Sequence, residues 1–174
     1  MLRKLIYAFL LCSGLFTTGA HAEKLILNSP DGNVKLVVET GRDLCYSLQQ
    51  DGETLLQPSC ISMKLSDGKV FGKNSTLVSS QKSQHQSVIQ SPFYKKSQVK
   101  DFYNQLVLKF RESFCVIFRV YNDGMAYRFT TNQKKDFKVV NEQADFNFPQ
   151  EWKTTVPYVR TDAPLEEQFT TTFE

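Results

Sequence analysis

"FRVYNDGMAYRF", residues 118–129, places two apolar-aromatic runs on either side of Asn122-Asp123-Gly124. Asp-Gly between alternating runs is a strong hairpin signal, because glycine accepts the positive φ that a two-residue turn demands. Asp123-Gly124 is therefore taken as the turn. On the first arm Phe118 and Val120 share one face and Arg119 and Tyr121 the other; on the second, Tyr127 and Phe129 share a face. Arg119 and Arg128 then need a polar or interfacial face, and arginines laid over tyrosine rings would give them one.

The same punctuation recurs upstream. Asp31-Gly32, Asp51-Gly52 and Asp67-Gly68 each separate extended runs: "KLILN" from "VKLVVET", "LCYSLQQ" from "ETLLQP", and "ISMKL" from "KVFG". In "SPDGN", proline presets φ and glycine supplies the left-handed position. Residues 73–91 are polar and alternating, which fits an exposed or edge strand. "SPFYKKSQVKDFYNQ" reads as a loop leading into "QLVLKF", and alternation returns strongly from Leu106 to Phe129. No stretch after residue 22 shows a helical apolar face. These features predict one all-β domain, an antiparallel β-sandwich, since many short strands joined by hairpin turns bury their apolar faces by packing sheet on sheet.

The ends of the chain differ from this pattern. Residues 1–22 run from Arg3-Lys4 through the apolar stretch Leu5–Phe16 to Ala20-His21-Ala22, the order of a secretory signal peptide cut after Ala22. The apolar run is shorter than the roughly 20 residues that a spanning helix needs. Leu11 before Cys12 is too large for a lipoprotein cleavage site. The expected product is a periplasmic domain of residues 23–174, with no membrane span. Removing Arg3 and Lys4 leaves 19 basic against 18 acidic residues, so no basic field for nucleic acid survives. At the other end, Pro149, Pro157 and Pro164 disfavour a central strand. The tail reads as an extended arm anchored by Trp152. The chain then stops at Glu174 within a Thr- and Phe-bearing run, so the sandwich is expected to be incomplete at its C-terminus.

Catalytic groups are scarce. No phosphate loop or nucleophile elbow is present, and His85 stands in a Gln/Ser-rich run without triad partners. Four aspartates precede glycine, where turn formation already accounts for them. Cys45, Cys60 and Cys115 match no zinc spacing, and as an odd number they allow at most one disulfide. Each lies in an apolar strand-like run, where a thiol behaves as a small buried hydrophobe. Glu166 and Glu167 are the exception among the acids. They follow Trp152 and Tyr158 on an irregular arm, a mixture of carboxylate and aromatic that suits sugar or calcium, although a solvated acidic pair also fits.

Three segments in order, "SPDGNVKLVVET…CYSLQQDGETLLQPS", "FRVYNDGMAYRF" and "DFNFPQEWKTTVPYV", resemble the N-terminal domain of glycoside hydrolase family 97 across nearly the whole mature chain. The resemblance implies a large β-sandwich preceding a (β/α)₈ barrel that carries the acid and base, in an exported α-glucosidase or α-galactosidase. It implies calcium near the active site and a glutamate lent to that ion by the N-terminal domain. Leu165-Glu166-Glu167-Gln168-Phe169 is the matching segment, with Glu166 the candidate ligand and Glu167 the fallback; Leu165 and Phe169 stand where the family has tyrosines. Calcium takes about six to eight oxygens, so the barrel would supply the rest. Trp152 and Tyr158 are the candidate sugar contacts. The implied partners are an α-linked oligosaccharide and the catalytic barrel, and no catalytic residue is expected within these 174 residues. Two readings of other classes stand beside this one. One is a free-standing exported glycan-binding sandwich using Trp152, Tyr158 and Tyr94. The other is a structural envelope protein.

Overall fold

The computed structural model describes residues 22–92, 95–151 and 153, together with the backbone of Pro157–Val159 and Phe169–Phe173. Two antiparallel sheets pack face to face. The first contains β1 (Lys24–Asn28), β2 (Val34–Glu39), β3 (Leu44–Gln50), β4 (Glu53–Leu65) and, out of sequence, β10 (Val139–Ala144) beside β4; the short β5 (Val70–Phe71) also pairs with β4. The second is an uninterrupted meander of β6 (Leu77–Gln90), β7 (Gln98–Phe110), β8 (Phe114–Tyr121) and β9 (Gly124–Thr131). Two further stretches, β11 (Pro157–Val159) and β12 (Phe169–Phe173), pair with each other. No helix occurs among the described residues.

Alternation explains the core. β3 and β8 bury every second residue: Leu44, Tyr46 and Leu48 on one, and Phe114, Val116, Phe118 and Val120 on the other. These side chains meet Leu36, Val38, Leu106 and Leu108 between the sheets, all fully buried. Phe114 is clasped between Phe71 and Phe110, its ring centroid 4.5 Å from each, so one ring ties the two sheets together at that end. Gly72 closes the same end with φ of +89°, and a Cβ there would stand 2.5 Å from the Ile61 carbonyl oxygen. Only glycine fits such a position.

Several expectations are corrected in detail. The turn of the 118–129 hairpin is Asn122-Asp123, with Gly124 already paired to Tyr121 and Phe118 opposite Tyr127. The register therefore differs by two residues from a turn at Asp123-Gly124, and because side chains alternate with period two the faces are unchanged. The segment that reads as a loop before "QLVLKF" is strand from Gln98 onward, part of a β7 that pairs with the polar β6 at thirteen positions. "ETLLQP" and "ISMKL" form one strand through Pro58, whose irregular register with β3 absorbs the missing donor. Part of the proline-rich tail is β-ribbon, and Pro157 stands at the first position of β11, where its lack of an N–H is tolerated.

The cysteines also depart from the buried-thiol reading. Cys45 and Cys60 lie directly opposite each other on β3 and β4 and form a disulfide, leaving Cys115 free and half-buried.

Tyr46 is the largest polar group in the core, 1% exposed, with its hydroxyl donating to the Asp145 carbonyl oxygen at 3.3 Å. Burial, with Tyr127 and Asp145 adding to it, pushes its pKa from 10.0 up to about 12. Below pH 10 the phenol is neutral in both folded and unfolded chains and its contribution is intact. Between pH 10 and about 12 only the unfolded chain ionises, so stability falls as pH rises through that window. Tyr46→Phe should remove this component. Urea midpoints for the two proteins, measured from pH 9 to 12, should converge as the pH climbs (a constant gap between them would refute the assignment).

Candidate functional site: the outer face of the four-stranded sheet

The two arginines of the opening hairpin face outward from the second sheet. β8 presents Cys115, Ile117, Arg119 and Tyr121 on that side, each half-buried, and β9 presents Ala126 and Arg128, both exposed. The register sets Arg119 opposite Ala126 and Arg128 opposite Ile117, so the guanidinium groups stand on a diagonal across the strand pair. Between them lies a shallow pocket of about 140 Å³, lined by Ile117, Arg119, Tyr121, Ala126, Tyr127 and Arg128. It exists because Gly124 and Ala126 bring almost no side chain to their part of the face.

Arg119 is held in place. Its Nε donates to Gln105 Oε1 at 3.1 Å, and its guanidinium carbon lies 4.3 Å from the centroid of the Tyr103 ring. Arginine over tyrosine is thus what the structure contains, with the ring supplied by β7 and not by the hairpin itself. Tyr103 is only 5% exposed although it lies on the outer face, because His85 and Tyr121 pack on it with centroids 5.0 and 5.2 Å away. Tyr121 donates to Asp101 Oδ1 at 3.3 Å, and His85 Nε2 lies 3.6 Å from Asp101 Oδ2 and 3.0 Å from Ser87 Oγ. Desolvation raises the Tyr121 pKa, with Arg119 pulling the other way.

This cluster of His85, Asp101, Tyr103, Arg119 and Tyr121 was only half visible in the sequence. Alternation placed Arg119 and Tyr121 together. His85 meets Tyr103 because β6 and β7 pair directly at those positions, within a stretch whose sequence reads as loop. The arrangement is a fixed polar and aromatic surface: one carboxylate shared by a tyrosine and a histidine does not form a hydrolytic pair, which needs two carboxyl groups facing across a sugar.

Trp152, Glu166 and Glu167 lie outside the described residues, as does Tyr94. Tyr158 contributes its backbone to β11, and its side chain lies outside them too. Among the described residues no group of three or more His, Cys, Asp or Glu side chains is placed to hold a metal ion.

Two antiparallel sheets packed face to face over a buried aromatic core define a β-sandwich domain. The chain belongs to the glycosyl-hydrolase 97 N-terminal family, whose sequence model matches residues 27–174. It is 41% identical over 169 residues to a retaining alpha-galactosidase of Bacteroides thetaiotaomicron, a match that covers 95% of this chain and 26% of that protein. A beta-arabinopyranosidase crystal structure matches with a TM-score of 0.74 at 25% identity, covering 86% of this chain and 26% of the other. A glycoside hydrolase family 97 enzyme from Pseudoalteromonas sp. strain K8, solved with panose, has the same fold over the same shares, with a TM-score of 0.67 at 18% identity. The chain thus spans about a quarter of the length of these relatives.

Proposed function

We propose that the chain is the N-terminal, active-site-completing β-sandwich of an exported α-glycosidase that hydrolyses α-linked oligosaccharides. The observation that carries this reading is 41% identity to a retaining alpha-galactosidase across 95% of the chain. Catalysis is assigned to a (β/α)₈ barrel outside this segment, as the family resemblance implies, and the chain's coverage of only 26% of the retaining alpha-galactosidase supports that reading. Glu166, with Glu167 beside it, is proposed to lend carboxylate oxygen to a calcium ion that the barrel completes. Trp152 and Tyr158 are proposed to border the sugar pocket. Export to the periplasm is supported by the signal-like residues 1–22 and by the Cys45–Cys60 bridge, which suits an oxidising compartment.

The test is the intact mass and activity of the native product, captured from the cell envelope with an antibody to residues 23–174. The expected result is a protein several times larger than the 20.0 kDa chain that releases p-nitrophenol from an α-galactoside or an α-glucoside. A stable product of about 17 kDa, the size left by signal removal, would instead favour a free-standing glycan-binding sandwich.

A further inference from the structure

An antiparallel sandwich ordinarily turns apolar residues inward and polar ones to water. The centre of the outer face of the four-stranded sheet breaks that rule. Val107, Cys115, Ile117 and Ala126 lie there, beside the packed rings of Tyr103 and Tyr121. The one carboxylate that this cluster holds, Asp101, is engaged by Tyr121 and His85 and leaves the two arginines without an acidic partner. Among the described residues, neither Arg119 nor Arg128 has a carboxylate within 4.0 Å, whereas Lys24 and Lys69 are paired with Glu39 and Asp67. Arg119 is nonetheless locked by Gln105 and Tyr103, so its position is set before any partner arrives. A fixed guanidinium, Arg119, and an exposed one, Arg128, set diagonally across an apolar floor match a planar carboxylate that accepts from both.

We propose that this face is the docking surface for the catalytic region of the same enzyme, which seats an aspartate or glutamate side chain between Arg119 and Arg128 over Ile117 and Ala126. The inference rests on the reading of the chain as the N-terminal part of a longer glycosidase, and on the relative in which it covers only 26% of the length. Charge complementarity selects the occupant. Covering two guanidiniums with an apolar surface alone would strand buried charge, so the covering layer has to bring an acceptor. The half-buried Val107, Cys115 and Ile117 supply the apolar part of the contact and exclude water around the ion pairs.

Arginine footprinting of the native protein decides this. The product isolated from the cell envelope is treated with phenylglyoxal, and modification is followed peptide by peptide, with the exposed Arg42 and Arg111 as internal references. The expected result is a product well above 20.0 kDa in which Arg128, exposed in the isolated domain, reacts at least about tenfold more slowly than Arg42; that factor corresponds to an interface opening that costs ~1.4 kcal/mol. Unfolding in urea should equalise the two rates. Arg128 reacting as fast as Arg42 in a large, active product overturns the docking surface and leaves the glycosidase reading standing. Protection that appears only on adding an α-linked galactooligosaccharide assigns the face to a glycan and overturns the proposal as well. A product no larger than the chain removes the glycosidase reading, and the docking surface with it.

Discussion

Phe114→Ala should lower the unfolding free energy of the domain by about 3–5 kcal/mol, the range for truncating a fully buried aromatic ring in a core that cannot collapse around the gap. The site makes the upper half of that range the expected one. Phe114 is 1% exposed and lies between two stacked rings, Phe71 from the first sheet and Phe110 from the second, with Phe129 6.1 Å away. Removing the middle ring of such a stack forfeits two ring–ring contacts as well as the buried area, and each is worth roughly 0.5–1.5 kcal/mol. The neighbours have little freedom to fill the space. Phe71 sits on a two-residue strand fixed by Gly72, and Phe110 is the last residue of β7. A domain stable by about 5–15 kcal/mol would be left marginal. Equilibrium urea unfolding followed by tyrosine and tryptophan fluorescence measures the loss, with Phe146→Ala as the control. Phe146 is 58% exposed and its replacement should change stability by no more than about 0.5 kcal/mol. A Phe114→Ala protein within 1 kcal/mol of the parent would show that the two sheets are not clamped there.

The balance between what the residues announced and what only the structure supplied follows from the range of the forces involved. Local chemistry was legible: "KLILN" and "LCYSLQQ" coincide with β1 and β3 to the residue, because alternation and the flanking turns both act within a few positions. Boundaries between polar strands were not. Gln98–Tyr103 carries charge, amide and aromatic side chains in no clean order, and it becomes strand through six paired positions with β6, a partner found only by register. β10 is a similar case. Four of its six residues are exposed polar or valine side chains that announce nothing, yet the strand returns to pair with β4 after the whole second sheet has been made. The candidate surface divides the same way. Arg119 and Tyr121 were placed together by period two, whereas Tyr103, His85 and Asp101 joined them through cross-strand neighbours that no single-strand pattern contains. The pairing of Cys45 with Cys60 was open for the same reason: three cysteines allowed three pairings, and only the β3–β4 register sets two of them opposite each other.

That bridge gives the second large effect. Replacing both Cys45 and Cys60 with alanine, or reducing the bond, should destabilise the domain by about 3 kcal/mol, the loop-closure value for a crosslink spanning some 15 residues. The sequence separation is 15, and the enclosed segment is the β3–β4 hairpin with its Asp51-Gly52 turn. The bridge acts mainly on the unfolded chain, which it prevents from opening that hairpin, so the folded sheet should keep its far-ultraviolet signature when the crosslink is gone. With a urea slope of about 1–3 kcal/mol per molar, the midpoint should fall by roughly 1–3 M. A single Cys45→Ala change should behave worse than the double one, because it leaves Cys60 unpaired at a half-buried site, free to form a wrong bond with another chain. The effect also bears on where the protein works. A leaderless form made in a reducing cytoplasm should carry three alkylatable thiols and the lower midpoint. The same chain exported through residues 1–22 should carry one, Cys115, and the higher midpoint. Equal thiol counts in the two preparations, read as added mass after iodoacetamide, would separate the bridge from export and leave the periplasmic assignment resting on residues 1–22 alone.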